Sequence, residues 1–346
     1  MKKSAGLALT FSALSLFAEP VADFTIPYES VKVEYDSIAD LKEIRRLEKE
    51  RKEQRKKTQT QSSSVENRKK KEIKPYTVKE PIHKDIGLLG LDDKRTEKFL
   101  DYYLSDKGRK KLADILIDSA EYRHYVRQQL AKKKMPSFLQ YLPIVESEYK
   151  ANAVSVSGAT GLWQFMENSM DPFLKKNEWY DQRLDPWTET DAALSKLNDN
   201  YKMFGNWELA LAAYNMGAGA VKRAKKQSKA DFWMLADLEL LSDQAIMYVP
   251  KLIAITEVIE NAEYYGAIDI GIADKWGESV KPLNFGTLKI TGKISLETIA
   301  EKSGTDLDQL VRLNPALLKG CTPPKETWTL RVPAGKAREI AESLTE

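Results

Sequence analysis

Apolar side chains recur at the spacing of a helix through the middle of the chain. Pairs three or four residues apart fall on one face of a helix, and such pairs fill residues 84–266. The sets that show the pattern are Phe99, Tyr102 and Tyr103; Leu112, Ile115 and Leu116; Tyr122, Tyr125 and Val126; Leu194, Leu197 and Tyr201. Few stretches alternate as a strand does. The pattern predicts a mainly α-helical domain over 84–266.

The pattern changes after Gly266. Residues 287–291 and 329–332 alternate as strands do, and 296–302 and 307–313 have helical spacing. Two proline-containing pairs, Asn314-Pro315 and Pro323-Pro324, mark turns between them. This order predicts a small β-α-α-β module over 284–336, joined by a linker at 267–283 and followed by a tail at 337–346.

The N-terminal region has the composition of an exported chain. Lys2 and Lys3 precede an uncharged run over 4–18, which predicts a signal peptide at 1–18 that is too short to serve as a membrane span. Residues 19–83 are charged and of low complexity, and we expect a mostly disordered spacer. The spacer is either a solvated tether or a contact for an envelope protein. The predicted location is the periplasm or cell envelope, with no transmembrane anchor after the signal is removed.

The charge balance and the rare residue types limit the function classes. The 346 residues include 54 Lys and Arg against 51 Asp and Glu, a net charge of only +3, which argues against a nucleic-acid binder. The single cysteine, Cys321, excludes a disulfide within the chain. With His83 and His124 as the two histidines, the composition indicates neither a metal site nor a cofactor.

Residues 136–149 carry a candidate general acid. We predict a helix that begins near Pro136 and places Phe138, Leu142 and Glu146 on one face, since they are four residues apart. A carboxyl group that continues an apolar stripe has a raised pKa, as a general acid at neutral pH requires. The alternative is an ordinary boundary residue at the edge of the core.

Two further segments contain groups that suit a sugar. Gly158 and Gly161 bracket a loop, and Trp163 and Gln164 follow with a flat apolar ring and an amide. The same pattern also fits a buried structural tryptophan. Later in the chain, 213–217 reads Ala-Tyr-Asn-Met-Gly at the end of an apolar helix, and Tyr248 follows.

Together these segments resemble the family 1 lytic transglycosylases, most closely the membrane-bound murein transglycosylase D branch. The matching motifs, in the family's order, are Glu146-Ser147, Gly161-Leu162-Trp163-Gln164, Ala213 to Gly217, and Tyr248. The resemblance implies a goose-lysozyme-like helical fold with a groove for peptidoglycan glycan strands. It also implies cleavage of the β-1,4 bond between N-acetylmuramic acid and N-acetylglucosamine with formation of 1,6-anhydromuramyl ends.

The resemblance also implies roles for individual residues. Glu146 would protonate the glycosidic oxygen and then accept the proton of the muramyl C6 hydroxyl. Ser147 and Tyr214 would position Glu146 or the muramyl unit. The other expected substrate-binding residues are Gly161, Leu162, Trp163, Gln164, Asn215 and Tyr248. Residues 242–245, Ser-Asp-Gln-Ala, replace the Glu-Thr that often precedes the tyrosine corresponding to Tyr248.

Two other functions remain open for this sequence. A hydrolytic muramidase would need a second carboxylate, for which Asp181 and Asp185 are candidates, whereas Glu148 points elsewhere. A non-catalytic peptidoglycan-binding protein would keep the groove without the chemistry. The retained Glu146-Ser147 pair favours the enzyme.

The C-terminal module resembles a LysM module, a small unit that binds wall glycans. The matching positions are Leu296, Ile299, Ala300, Gly304, Leu310, Leu313, Asn314, Pro315, Leu330, Val332 and Pro333. The usual Gly-Asp-Thr-Leu opening is replaced by Gly-Lys-Ile-Ser at 292–295, so the module is degenerate. It either binds sugar or packs against the catalytic domain.

Overall fold

A computed structural model describes residues 81–280 and 283–344, so the predicted signal peptide and nearly all of the predicted spacer lie outside the described residues. The described chain is mainly helical with a small C-terminal sheet, which confirms the predicted fold class. The helices of the first domain are α1 (Lys94–Leu104), α2 (Asp106–Asp118), α3 (Ala120–Lys133), α4 (Leu142–Ser147), α5 (Pro186–Phe204), α6 (Trp207–Met216), α7 (Ala218–Gln227), α8 (Phe232–Asp237), α9 (Asp243–Glu260) and α10 (Ile268–Ser279).

Short polar side chains fix where several of these helices begin. Asn206 accepts a hydrogen bond from the Leu209 amide at the start of α6, and Ser242 accepts one from the Ala245 amide at the start of α9. Such caps satisfy amides that have no partner within the first turn of a helix. The boundaries of α6 and α9, which carry two of the candidate motifs, therefore follow from local sequence.

Helix α9 runs through the centre of the helical domain. Its residues from Val249 to Ile259 are buried, and it packs against α1, α6 and α10. A helix that is apolar on all sides is stable only when other elements surround it. Tyr248 lies at the start of this buried stretch and is therefore held by a rigid element.

The predicted continuous helix over 136–149 is wrong. The structure has a short 3-10 helix at Ser137–Tyr141, and α4 follows directly at Leu142–Ser147. Pro143 explains the break, because its nitrogen has no hydrogen to donate to the Leu139 carbonyl, which instead accepts from the Leu142 amide. Glu146 therefore lies on a helix of six residues.

The C-terminal module has the predicted β-α-α-β order. Its elements are β1 (Phe285–Thr291), α11 (Leu296–Ser303), α12 (Leu307–Leu313) and β2 (Thr327–Pro333). The two strands pair antiparallel with Leu288 opposite Leu330. Leu296, Ile299, Leu310 and Val332 form most of its small core.

Two predicted boundaries of the module are also wrong. Residues 267–283 contain α10, whose Ile270 and Ala273 are buried against the helical domain, so most of the expected linker belongs to that domain. The expected tail contains α13 (Ala337–Ser343), and its Ile340 is fully buried in the module core. In α10 the isoleucines recur every second residue rather than at helical spacing, and α13 has only seven residues, so neither gives a clear helical signal.

The module packs against the segment of the helical domain that precedes α5. Tyr180 forms a backbone bridge with Leu317, and the Leu318 amide donates to the Trp179 carbonyl at 2.9 Å. Tyr180 and Trp179 are part of the module's own apolar cluster. The packing alternative for the module therefore has direct structural support.

Among the residues that the structure describes, no helix has the length and hydropathy needed to cross a membrane.

Candidate active site

Glu146 lies near the end of α4 and is partly buried. The hydroxyl of Tyr248, on α9, donates a hydrogen bond to its Oε1 atom. The two residues are 102 positions apart in sequence, so the fold brings together the first and last of the sequence motifs. Because Tyr248 occupies one carboxyl oxygen as a donor, the proton of the neutral acid belongs on the other oxygen.

The surroundings of Glu146 bring its pKa close to neutral pH. Burial raises its pKa from 4.5 to about 7, since a charged carboxylate loses hydration in the site. The hydrogen bond from Tyr248 and the charges of Lys196 and Lys251 oppose that rise. A carboxyl group with a pKa near the working pH can both donate and accept a proton.

The loop of the second motif follows α4 and needs glycine at Gly161. This residue has a φ of +93°, and a Cβ atom there would lie 2.0 Å from the Arg183 carbonyl oxygen and 2.5 Å from the Glu189 carboxyl oxygens. Gly161 therefore permits a close approach that any side chain would block. The Thr160 and Phe165 backbones bond to each other on either side and close the loop.

Two side chains of the sequence motifs bind the backbone of this loop. The Ser147 hydroxyl donates to the Leu162 carbonyl at 2.8 Å, and the Tyr214 hydroxyl donates to the Trp163 carbonyl at 2.9 Å. Both side chains are buried. In the structure, Ser147 and Tyr214 contact this loop, and their role in positioning Glu146 or the muramyl unit stays a prediction.

The Trp163 ring does not provide a surface for a sugar. It is fully buried, and its Nε1 donates to the Thr190 hydroxyl at 2.9 Å. Leu162 is fully buried as well. The expectation of an exposed stacking ring is therefore wrong, and the alternative of a buried structural tryptophan is correct. Burying the large apolar ring in the core is favourable when its Nε1 has a hydrogen-bond partner.

The two amide side chains predicted to bind sugar are partly exposed. Gln164 has a positive φ of 51°, and its Nε2 donates to the Ala153 and Gly161 carbonyls, which leaves its oxygen available. The Oδ1 atom of Asn215 is buried without a hydrogen-bond partner among the described residues. An unpaired amide oxygen favours a ligand donor at that position.

The other carboxylates named from the sequence have structural partners. Glu148 ends α4 and forms ion pairs with Lys111 at 2.7 Å and Lys150 at 3.1 Å. Asp181 binds Arg183 through both of its oxygens. Asp185 caps α5 and forms a buried ion pair with Arg331 of the module. These contacts disfavour Asp181 and Asp185 as a second catalytic acid.

Sequence reasoning missed two charged residues of α5. Glu189 is fully buried beneath the Gly161 loop, where burial raises its pKa well above the usual range. Lys196 places its ammonium beside Phe165 and Tyr214, and its charge acts on Glu146. The available signal was their spacing of seven residues, with Ala192, Ala193 and Leu194 between them, because it puts both on the same face of α5.

Within residues 81–280 and 283–344, no group of three or more His, Cys, Asp and Glu side chains is arranged to hold a metal ion.

Comparison with known proteins gives two domain matches. The family described as "Transglycosylase SLT domain" matches residues 125–232, which include α4, the Gly161 loop and the motif at the end of α6. The family described as "Lytic transglycosylase MltD, LysM-like domain" matches residues 284–346, which cover the C-terminal module and α13.

Two curated relatives match a large part of the chain. The proteins named "Membrane-bound lytic murein transglycosylase D" from Escherichia coli (strain K12) and from Escherichia coli O6:H1 are each 30% identical to this chain over 249 residues. The match covers 70% of this chain and 52% of each relative. The chain thus spans about half the length of these relatives.

Proposed function

We propose that this chain, which joins a transglycosylase SLT domain to a LysM-like domain, is a peptidoglycan lytic transglycosylase of the cell envelope. Its substrate is the β-1,4 bond between N-acetylmuramic acid and N-acetylglucosamine, and its products end in 1,6-anhydromuramyl groups. The proposal rests on the surroundings of Glu146. Its carboxyl group is partly buried, has a pKa of about 7, accepts a hydrogen bond from Tyr248 and lies on the helix that holds the Gly161 loop.

The geometry supports a mechanism in which one carboxyl group serves twice. Protonated Glu146 donates its proton to the glycosidic oxygen, the bond to the anomeric carbon breaks, and the leaving sugar departs as an alcohol. The resulting Glu146 carboxylate accepts the proton of the C6 hydroxyl while that oxygen attacks the anomeric carbon. No water is consumed, and Glu146 ends the cycle protonated.

Residues around Glu146 support each stage of this cycle. The Tyr248 hydroxyl stabilises the carboxylate formed after proton donation, as do the charges of Lys196 and Lys251. Burial favours the neutral acid before donation. These opposing effects keep the pKa of Glu146 between those of a free carboxylic acid and a fully buried one.

A hydrolytic muramidase is the second candidate function. It would use Glu146 as acid and a second carboxylate to activate water. Asp181 and Asp185 are the two that the sequence offers, and both are bound by arginines and buried. Products cut at the same bond but ending in reducing sugars would identify this activity.

The LysM-like module supports the enzyme by packing rather than by sugar binding in our proposal. Its contacts with Trp179, Tyr180 and Asp185 join it to the segment that leads into α5. The predicted signal peptide at 1–18 supports an envelope location, as does the name of the Escherichia coli relatives, which calls them membrane-bound.

Mass spectrometry of muropeptides released from purified peptidoglycan tests the proposed reaction. We expect products one water lighter than those of hydrolysis from the wild-type protein, and none from Glu146→Gln, which should still sediment with the wall. Reducing-end products would replace the proposal with a hydrolase. An inactive wild-type protein that binds the wall would indicate the non-catalytic class, and an active Glu146→Gln variant would exclude Glu146 as the acid.

A further inference from the structure

Lys196 extends from α5 into the active site. Its Nζ atom lies 4.9 Å from the centre of the Phe165 ring and 5.0 Å from that of Tyr214, and it donates to the Ser169 hydroxyl at 3.2 Å. Phe165 closes the Gly161 loop, and Tyr214 holds that loop from below. The ammonium is therefore fixed against the same structure that forms one side of the catalytic site.

This ammonium has no carboxylate partner of its own. In the described part of the chain, no Asp or Glu oxygen lies within 4.0 Å of Lys196, whereas Lys111, Lys150 and Lys176 each form an ion pair. Aromatic faces favour a cation but provide no charge-assisted hydrogen bond. Lys196 is a partly buried cation with donor capacity that the protein does not use.

Lys196 is close enough to Glu146 for the two charges to influence each other. The Lys196 charge lowers the pKa of Glu146, and the Glu146 charge raises that of Lys196 against the opposing effect of burial. Because no salt bridge joins them, their charged atoms are more than 4.0 Å apart. The Glu146 carboxyl therefore does not occupy the Lys196 ammonium.

In the proposed substrate, the charged groups are all on the muramyl residues. N-acetylglucosamine has no ionisable group, whereas muramic acid bears a lactyl ether that ends in a carboxyl group. That carboxyl is a free anion in glycan stripped of peptide, and it is a neutral amide where a stem peptide is attached. The stem peptide then supplies carboxylates of its own.

We propose that Lys196 is a specificity-determining residue that binds a carboxylate on the muramyl side of the scissile bond. This inference rests on the proposed function and adds to it the feature of the substrate that is recognised. The free lactyl carboxylate is the nearest source of the charge, and a stem-peptide carboxylate is the other source. Lys196 would then make the enzyme distinguish stripped from substituted glycan.

Three forms of the same glycan strands test the proposal with purified full-length protein. The first retains stem peptides, the second is stripped by an amidase so that lactyl carboxylates are free, and the third is stripped and then converted to neutral methylamides. Initial rates are compared for wild type, Lys196→Met, Lys196→Arg and a control, Lys202→Met. Lys202 lies on the same helix but is exposed and pairs with Asp199 at 3.5 Å.

The assay is best run near pH 5.5, where the lactyl carboxyl is ionised and Glu146 is protonated in every variant. A change in the pKa of Glu146 then has little effect on the rate. We expect wild type and Lys202→Met to cut the stripped form roughly tenfold faster than the methylamide, as loss of one charge-assisted hydrogen bond predicts. Lys196→Met should cut both at the same rate, and Lys196→Arg should retain part of the preference.

The other outcomes have defined meanings. A wild-type preference for the peptide-bearing form that disappears in Lys196→Met would assign the carboxylate to the stem peptide. Equal losses on all three forms, with an unchanged melting temperature, would overturn the proposal and leave Lys196 acting through Glu146. A wild-type protein that cuts none of the forms would overturn the proposed function and this inference with it.

Discussion

Replacing Glu146 by Gln should make the protein more stable at alkaline pH while removing its activity. Glutamine has nearly the same shape, and its carbonyl oxygen can accept the hydrogen bond from Tyr248. The substitution removes only the ionisation of the acid. The wild-type protein must ionise a partly buried carboxyl as pH rises, and the variant does not.

The pKa of Glu146 fixes the sign and size of the effect. The folded pKa is about 7 and the usual value is 4.5, so the folded state holds the proton more tightly than the unfolded state. The stability that this provides is fully present below pH 4.5 and is lost as pH rises through 7. A displacement of this size corresponds to about 3 kcal/mol of unfolding free energy, as an order of magnitude, between about pH 4.5 and pH 8.5.

Urea unfolding of wild type and Glu146→Gln at several pH values measures this difference. All other ionisable groups are shared by the two proteins, so the change in their stability difference with pH isolates Glu146. We expect the two curves to approach each other near pH 4.5 and to separate by about 3 kcal/mol near pH 8.5, with the variant more stable.

Parallel stability curves over this whole range would refute the argument. They would mean that Glu146 ionises as easily in the folded protein as in the unfolded chain. Its burial would then be too shallow to make it a general acid at neutral pH. The proposed function would lose its main physical support, even if Glu146→Gln were inactive.

Three further changes test other contacts of the site. Tyr248→Phe removes a hydrogen bond that lowers the pKa of Glu146. The alkaline limb of the pH–rate profile should therefore move to higher pH, while the rate falls about tenfold. An unchanged alkaline limb would contradict the assignment of that limb to Glu146. Gly161→Ala should abolish activity and lower the melting temperature, because the added Cβ atom would lie 2.0 Å from the Arg183 carbonyl oxygen. A melting temperature equal to that of wild type would show that the loop is not held in this form. Arg331→Ala should lower the unfolding free energy by about 3 kcal/mol, measured by thermal unfolding, because it leaves buried Asp185 without its ion-pair partner. The control is Arg338→Ala, which removes an exposed ion pair with Glu342 and should have little effect. Equal losses in the two variants would argue that the module does not stabilise the helical domain through Asp185.

The sequence was most informative where function and local structure coincide. Helical spacing predicted the α domain and the two helices of the module, and alternation predicted its two strands. The structure also brings the four motifs into contact, since Tyr248 bonds to Glu146, and Ser147 and Tyr214 bond to the Gly161 loop. Glu146 and Tyr248 show this most directly, since they meet across 102 residues of sequence.

Predictions from spacing failed where one residue or a distant contact decides the structure. Pro143 interrupts the helix over 136–149, although the apolar positions continue through it. The Trp163 pattern fits either a buried or an exposed ring, and only the packing of Thr190 against its Nε1 decides between them. Helices α10 and α13 are placed by tertiary burial of a few apolar side chains rather than by a clear helical period.

Helix α5 explains why the module and the active site belong to one physical unit. Asp185, which caps it, Glu189 and Lys196 follow at intervals of four and seven residues and so share one stripe of the helix. Arg331 of the module binds the first, the Gly161 loop covers the second, and the charge of the third acts on Glu146. Because one helix carries all three contacts, we expect a change where the module binds α5 to displace the loop and the cation together. Loss of the Arg331 contact should therefore alter the chemistry at Glu146 as well as the stability of the fold.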